Sequence, residues 1–427
     1  MNALPFRLSG PILSPQSPSE CTWYPSGTLA IGEHGRILFC GPCDTAPEDI
    51  RTLPAITTDD IILPGFVDLH THLPQYDARG KFGVTLLEWL ERFIYPEEER
   101  FADEESARDI SRRFFRALLQ AGTTTAFVYA PVQFRAAWVA FEEAERSRLR
   151  VVLGKTQMDR NAPFSLLEST HDSLRDAERL IEAWHRKNGR LFYAVTPRFA
   201  PTCTPVLLRR CALLAERHGT FIQTHANESL AEIARVRELF PQASSYLDIY
   251  ANAGLLCERT IIAHNIHVSD DDLALCERTR CAIAHCPDSN LFLGSGRFPL
   301  ERYAERDIRI GLGSDVGAGT TLFMPQIMRS MAWVQQRSLH PFIPLYHATA
   351  GGAAALGREC DTGTLEKGKC ADLVTIRVDG HFSGGKTLEK LSAVEIASAI
   401  VYRTQPCDIR SVWVEGERLY EYQDEKR

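Results

Sequence analysis

The sequence predicts an α/β protein, a (β/α)8 TIM-type barrel carrying a small β-sandwich domain formed by the N- and C-terminal segments. Three observations lead there. Eight short β-rich runs alternate with amphipathic stretches over about 300 residues in the middle of the chain. The two ends show short strands with glycine-rich turns and no helical period. Ionisable residues gather at the ends of the β-rich runs, where a barrel carries its functional groups. A doubly wound open sheet is the runner-up architecture.

The β-rich runs are Ile61–His72, Thr123–Tyr129, Arg150–Thr156, Leu191–Arg198, Gly219–His225, Thr260–Ile266, Arg280–Cys286 and Ile308–Asp315. Between them, Ser106–Gly122 repeats Ile110, Phe114, Ala117, Leu118 and Ala121 at helical spacing. Ser169–Lys187 does the same with Leu174, Ala177, Ile181 and Trp184. Ser269 is placed to cap a helix over Asp270–Thr279. At the ends, Gly27–Pro42 and Gly363–Val378 read as short strands, and Arg410–Tyr420 as a hairpin around Gly416. Residues 1–63 and 362–427 are therefore expected to form the β-sandwich, and residues 64–361 the barrel.

Composition narrows the function classes. The chain has 427 residues, of which 44% are hydrophobic and 24% charged, which excludes a disordered or fibrous protein. The net charge of −7 argues against a nucleic-acid or anionic-membrane partner. No apolar run approaches the ~18 residues of a membrane span, and the N-terminus lacks a signal-peptide pattern. Twelve cysteines scattered over the length suit reduced thiols in a cytoplasmic protein.

The chemistry is expected at the strand ends. His70 and His72 alternate on one strand, so both imidazoles can reach one cation. His225 and Asp315 end two other strands. Three imidazoles and a carboxylate suit one Zn²⁺ per chain, with Fe²⁺ as the alternative. Such an ion lowers the pKa of a bound water toward ~7, and Asp315 could accept the proton released. Glu228, three residues after His225, could move a proton from water to a substrate nitrogen; a solvated glutamate opening a helix is the competing reading. His264, flanked by Ile262, Ala263 and Ile266, could orient the attacking hydroxide or be a satisfied core histidine. His285 stays open between a structural and a functional role.

The ordered set PGFVDLHTH, QTHANES, AHNIH, HCPDSN and GLGSDVGAG resembles the metal-dependent amidohydrolase superfamily. Within it, HTHLPQY, LLEWLERFIYPEEERF and TPRF resemble the guanine deaminases, from about Gly27 to Val414. The resemblance implies metal on His70, His72, His225 and Asp315, proton shuttling by Glu228 and orientation of the hydroxide by His264. It further implies contacts to a purine base, guanine, from Gln75, Arg198 and Phe199, and a homodimer. Trp89 is expected to pack beside the pocket. The implied reaction is hydrolysis of guanine to xanthine and ammonia. The rivals are action on 8-oxoguanine, cytosine or a triazine, and a catalytically dead barrel serving as a scaffold.

Other signals carry less. Cys40-Gly-Pro-Cys43 spells a dithiol motif but lacks the helix N-terminus that activates one. Gly311–Gly317 lacks the spacing of a dinucleotide loop. Lys155 at a strand end could bridge two metals if carboxylated, but the resemblance carries a single-metal ligand set. The H-x-E and P-C-x-x-C pieces of the other zinc deaminase architecture are absent.

Overall fold

The computed structural model describes residues 4–82, 85–378 and 388–423. Its strands, in chain order, are β1 (Phe6–Pro15), β2 (Cys21–Ile31), β3 (Ile37–Pro42), β4 (Ala55–Thr57), β5 (Ile61–Pro64), β6 (Phe66–His72), β7 (Thr123–Ala130) and β8 (Arg150–Gln157). They continue as β9 (Leu191–Pro197), β10 (Phe221–Ala226), β11 (Thr260–His264), β12 (Ala282–His285), β13 (Ile310–Leu312), β14 (Leu373–Ile376), β15 (Ile409–Val414) and β16 (Glu417–Glu421).

Strands β6 to β13 form one eight-stranded sheet in which every strand neighbours its successor in sequence. The registers from β8 to β13 are all parallel. The backbone N–H of Asp315, just past β13, donates to the carbonyl of His70 on β6 at 2.8 Å. That bond brings the last strand round to the first and nearly closes the barrel. Both faces of such a sheet are covered, which is why β6, β7 and β8 are buried at every position.

The connecting helices start at side-chain caps, of which Ser269 alone was expected. Ser169 caps Thr170–Trp184 through Asp172 N–H, and Thr204 caps Pro205–His218 through Leu207 N–H. Ser269 caps Asp270–Thr279 in a full capping box with Asp272. The periodic run Ser106–Gly122 folds as the helix Glu104–Gln120. None of the described helices is long and apolar enough to cross a membrane.

The termini supply the second sheet, ordered β16-β15-β14-β5-β1-β2-β3 with β4 beside β1. The anticipated β-sandwich is thus one continuous eight-stranded mixed sheet in its hydrogen bonding. Phe6, Leu8, Ile12, Leu29, Ile62, Leu373 and Trp413 form its core. The hairpin around Gly416 forms as expected, with Glu415 and Gly416 both in the left-handed region.

One expected strand splits. Ile61–Pro64 joins the terminal sheet through β14 and β1, whereas Phe66–His72 begins the barrel. Gly65 is the break, since a Cβ there would collide with the Thr124 side chain. The last expected run shortens to Ile310–Leu312, because Gly313, Ser314 and Asp315 leave the strand.

By contact the chain falls into two compact units. One comprises residues 1–68, 117–125 and 323–427; the other comprises residues 69–116 and 126–322. Residues 323–361, grouped with the barrel from the sequence, cluster with the terminal segments. The cause is local: helices Met324–Val334 and Phe342–His347 pack on helix Ala393–Arg403. The second unit contains the carboxyl ends of β6 and β7 and all of β8 to β13.

Gly154 on β8 tests the packing of this sheet. A Cβ there would overlap the Ala194 carbonyl and the Thr196 hydroxyl. Overpacking of this kind costs about 1–3 kcal/mol, so Gly154→Ala should lower the urea midpoint of unfolding. An unchanged midpoint would contradict the tight β8–β9 packing.

Candidate active site

Strands β6, β10 and β11 and the turn after β13 aim four histidines and an aspartate at one point. On β6, His70 and His72 project to the same side, and their Nε2 atoms are 3.2 Å apart. His72 Nε2 lies 3.1 Å from His225 Nε2 and 3.3 Å from Asp315 Oδ1. His70 Nε2 stands 3.1 Å from the same carboxylate oxygen. Ligand atoms on a tetrahedral ion with bonds of about 2.0–2.1 Å sit about 3.3–3.4 Å apart. The spacing of these four groups therefore fits one small divalent ion.

The protonation states fit as well. Burial lowers His70, lowers His72 to about 3 and lowers His225 well below the usual imidazole range. Neutral imidazoles offer lone pairs, which is what a metal needs. His225 Nδ1 donates to the Arg198 carbonyl at 2.7 Å, leaving Nε2 as the inward lone pair. Burial works against ionisation of Asp315, but the His70, His72 and His264 imidazoles around it outweigh this and hold the carboxyl well below the ordinary range.

His264 behaves differently. Its Nε2 is 3.5 Å from Glu228 and 3.7 Å from Asp315. Burial would lower it, but these two carboxylates prevail and raise it. His70, His225, His264 and Asp315 also have ligand atoms within 4.8 Å of one another. His72 stands nearer than His264 to Asp315, at 3.3 Å against 3.7 Å. His264 Nδ1 donates to Asn290 Oδ1 at 3.0 Å, so Asn290 aims the ring. Asn290 lies in the HCPDSN segment, and no role for it was foreseen.

Glu228 is buried beside this cluster, with Oε1 accepting from the Ser295 hydroxyl at 3.1 Å. Burial raises its pKa to about 7, and Asp315 and Glu232 push the same way while His264 opposes them. Glu232 caps the following helix through Ser229 and also accepts from the Glu228 backbone N–H at 2.9 Å. The helix-start reading of this segment is therefore true of Ser229 and Glu232, not of the Glu228 side chain.

A cavity opens on the cluster. His72, His225, Glu228, His264 and Asp315 line one side; Gln75, Arg198 and Phe199 line another, with Leu86, Trp89, Leu90, Leu293 and Ala318. Trp89, expected beside the pocket, lines it, and its indole N–H donates to the Lys81 carbonyl at 2.6 Å. The polar wall is tied together by Glu98, which the sequence reading missed. Its Oε1 accepts from Gln75 Nε2 at 3.0 Å and its Oε2 from Arg198 Nη1 at 2.6 Å. Tyr95 lies under the Arg198 guanidinium, 5.4 Å from its ring centre.

The remaining candidates lie elsewhere. His285 does not line the cavity; its ring stacks on Phe298 at 4.3 Å, which stacks in turn on Tyr303. Lys155 is committed to an ion pair with Glu168. Burial pushes the Cys40 thiol up to about 12, the reverse of an activated dithiol.

The comparisons with known proteins agree with this geometry. Residues 61–419 match the Amidohydrolase family. The guanine deaminase of Escherichia coli K12 is 41% identical over 74% of this chain and 73% of its own length. A probable guanine deaminase of Deinococcus radiodurans is 36% identical over 93% of this chain and 94% of its own. A crystal structure of guanine deaminase from C. acetobutylicum, with guanine bound in its active site, superposes with a TM-score of 0.92 at 27% identity. It matches 97% of this chain and 100% of its own. The chain belongs to the amidohydrolase family and, within it, groups with the guanine deaminases.

Proposed function

We infer that the protein hydrolyses guanine to xanthine and ammonia. The observation that carries this is one cavity with the His72–His225–Asp315 cluster on one wall and Gln75 and Arg198, both held by Glu98 behind them, on another. His70, His72, His225 and Asp315 would hold the ion, and mixed imidazole–carboxylate ligation suits Zn²⁺, with Fe²⁺ as alternative. When bound, that ion supplies Lewis-acid activation of the attacking water.

The chain's own groups do the rest. Arg198 and Gln75 bind the polar edge of the base, and Phe199 gives its ring an apolar face. His264 orients the water that adds to C2. Glu228 takes a proton from that water and delivers it to N3; Asp315 is a further acceptor beside it. The C2–N bond then breaks as the second proton reaches the amino group, so guanine and water become xanthine and ammonia. The homodimer and the cytoplasmic location expected from the sequence remain part of this proposal.

Metal analysis of the purified protein should find about one divalent ion per chain. His70→Ala should lose both the ion and turnover, and full turnover in a metal-free preparation would end this mechanism.

A second test concerns the proton. Glu228→Gln should keep its metal and lose about 10²–10⁴-fold in kcat. Because its pKa is raised to about 7 by burial, the carboxylate form grows as pH rises. The acid limb of kcat/KM should accordingly climb with pH at or below about 7, a bound cation moving it downward. A Glu228→Gln enzyme with the same limb would assign the titration to another group.

Base choice is the third. An arginine has only donors, so it pairs with a carbonyl oxygen and not with adenine's amino group. Ammonia release should be strong with guanine and undetectable with adenine, and Arg198→Ala should cut kcat/KM for guanine with metal retained. Comparable rates on both bases would refute the assignment.

A further inference from the structure

Among the described residues, Glu98 is a buried carboxylate behind the polar wall that the reaction itself does not use. Gln75 and Arg198 line the cavity, whereas Glu98 stands behind them and touches both. It is reached through a helical segment that changes pitch. Leu86–Trp89 is α-helical, Leu90–Ile94 is a π-helix and Tyr95–Glu99 is α-helical again. A π turn takes one more residue than an α turn and so rotates everything that follows it. The segment thereby turns Trp89 and Leu90 to the cavity and still buries Tyr95 and Glu98 against Arg198.

The chemistry of that contact is asymmetric. A glutamine amide can turn over and exchange its donor and its acceptor. An ionised carboxylate paired with arginine has no proton to give, so only Gln75 Nε2 can face Glu98. Among the described residues nothing donates to Gln75 Oε1, which leaves that oxygen as the amide's acceptor for a ligand. Gly317 makes the orientation possible, since a Cβ there would overlap Oε1. Arg198 meanwhile is anchored through Nη1 and keeps its other N–H groups as donors.

We propose that Glu98 is a positioning residue that sets base specificity by locking the Gln75 amide, so that the wall presents arginine donors beside a fixed acceptor. That pattern recognises a ring edge with a carbonyl next to an N–H, as in guanine O6 and N1–H. It opposes the reversed edge, an amino group next to a bare ring nitrogen. The proposal rests on the guanine reading above and adds to it the residue that fixes the polarity of recognition.

The discriminating probe is 2,6-diaminopurine, which keeps the 2-amino group that guanine loses but reverses the C6–N1 edge. Hydrolysis at C2 gives isoguanine and ammonia, distinguishable by chromatography from attack at C6. A site that leaves buried polar groups unpaired can reject a mismatched ligand by ~10⁴-fold or more, so the wild type should favour guanine by a ratio of at least about 10³. Glu98→Gln can receive either end of the Gln75 amide, so this ratio of kcat/KM values should fall by about tenfold or more, with metal content unchanged. Glu98→Asp, still acceptor-only, should restore much of the ratio. A merely structural role would lower both activities together and leave the ratio unmoved, and that result overturns the proposal. If Glu98→Gln does not fold, Gln75→Met gives the same readout, and an unchanged ratio there is equally fatal. Failure of the wild type to deaminate guanine would instead sink the functional reading itself.

Discussion

The hydrogen bond from His225 Nδ1 to the Arg198 carbonyl, 2.7 Å long, joins the two halves of the site. One end fixes the tautomer whose Nε2 faces His72. The other end belongs to the residue whose guanidinium forms the polar wall. The His225 backbone N–H donates to the same carbonyl at 3.2 Å, so β10 is registered against the end of β9 at this residue. Moving the Arg198 backbone would therefore disturb the histidine–aspartate cluster as well as the polar wall. The two functions share one backbone atom, and the short spacing between ligands and wall follows from it.

The charges in the cavity follow the same logic of shared partners. Burial lowers the proton affinity of three imidazoles, while two carboxylates raise that of the fourth. Glu228 and Asp315 differ for a related reason. Asp315 lies against two histidines that hold its carboxyl well below the ordinary range, whereas Glu228 has a hydroxyl donor, His264 and carboxylate neighbours. Two carboxyl groups in one pocket are thus set to opposite proton affinities.

Much of this was legible in the sequence where chemistry coincides with a strand end. His70, His72, His225 and Asp315 declare themselves because period-two placement and barrel topology leave little freedom. Glu98 did not. It sits in the acidic run Glu97–Glu99, which reads as a solvated helix start, and only the convergence of Gln75 and Arg198 buries it. Asn290 was hidden for the same reason, its role being a single tertiary bond to His264. The split at Gly65 was missed because an unbroken apolar run carries no periodicity to mark where one sheet hands over to another. The terminal helices were assigned by sequence adjacency, whereas packing on Ala393–Arg403 groups them otherwise.

The backbone at the strand ends has a cost of its own. Asn227, His264 and Asp315 all adopt left-handed φ angles of 52°, 65° and 47° without being glycine. Such residues cost of order 1–3 kcal/mol each and persist only where their surroundings over-determine them. Glycine would relieve each one, yet at His264 and Asp315 it would remove a side chain of the cavity cluster. At Asn227 it would remove the side-chain bond to Asn265 at 2.8 Å, directly beyond His264. The rim of the barrel is therefore where efforts to thermostabilise this enzyme by relaxing its main chain would meet a functional limit, while its outer helices offer freer ground.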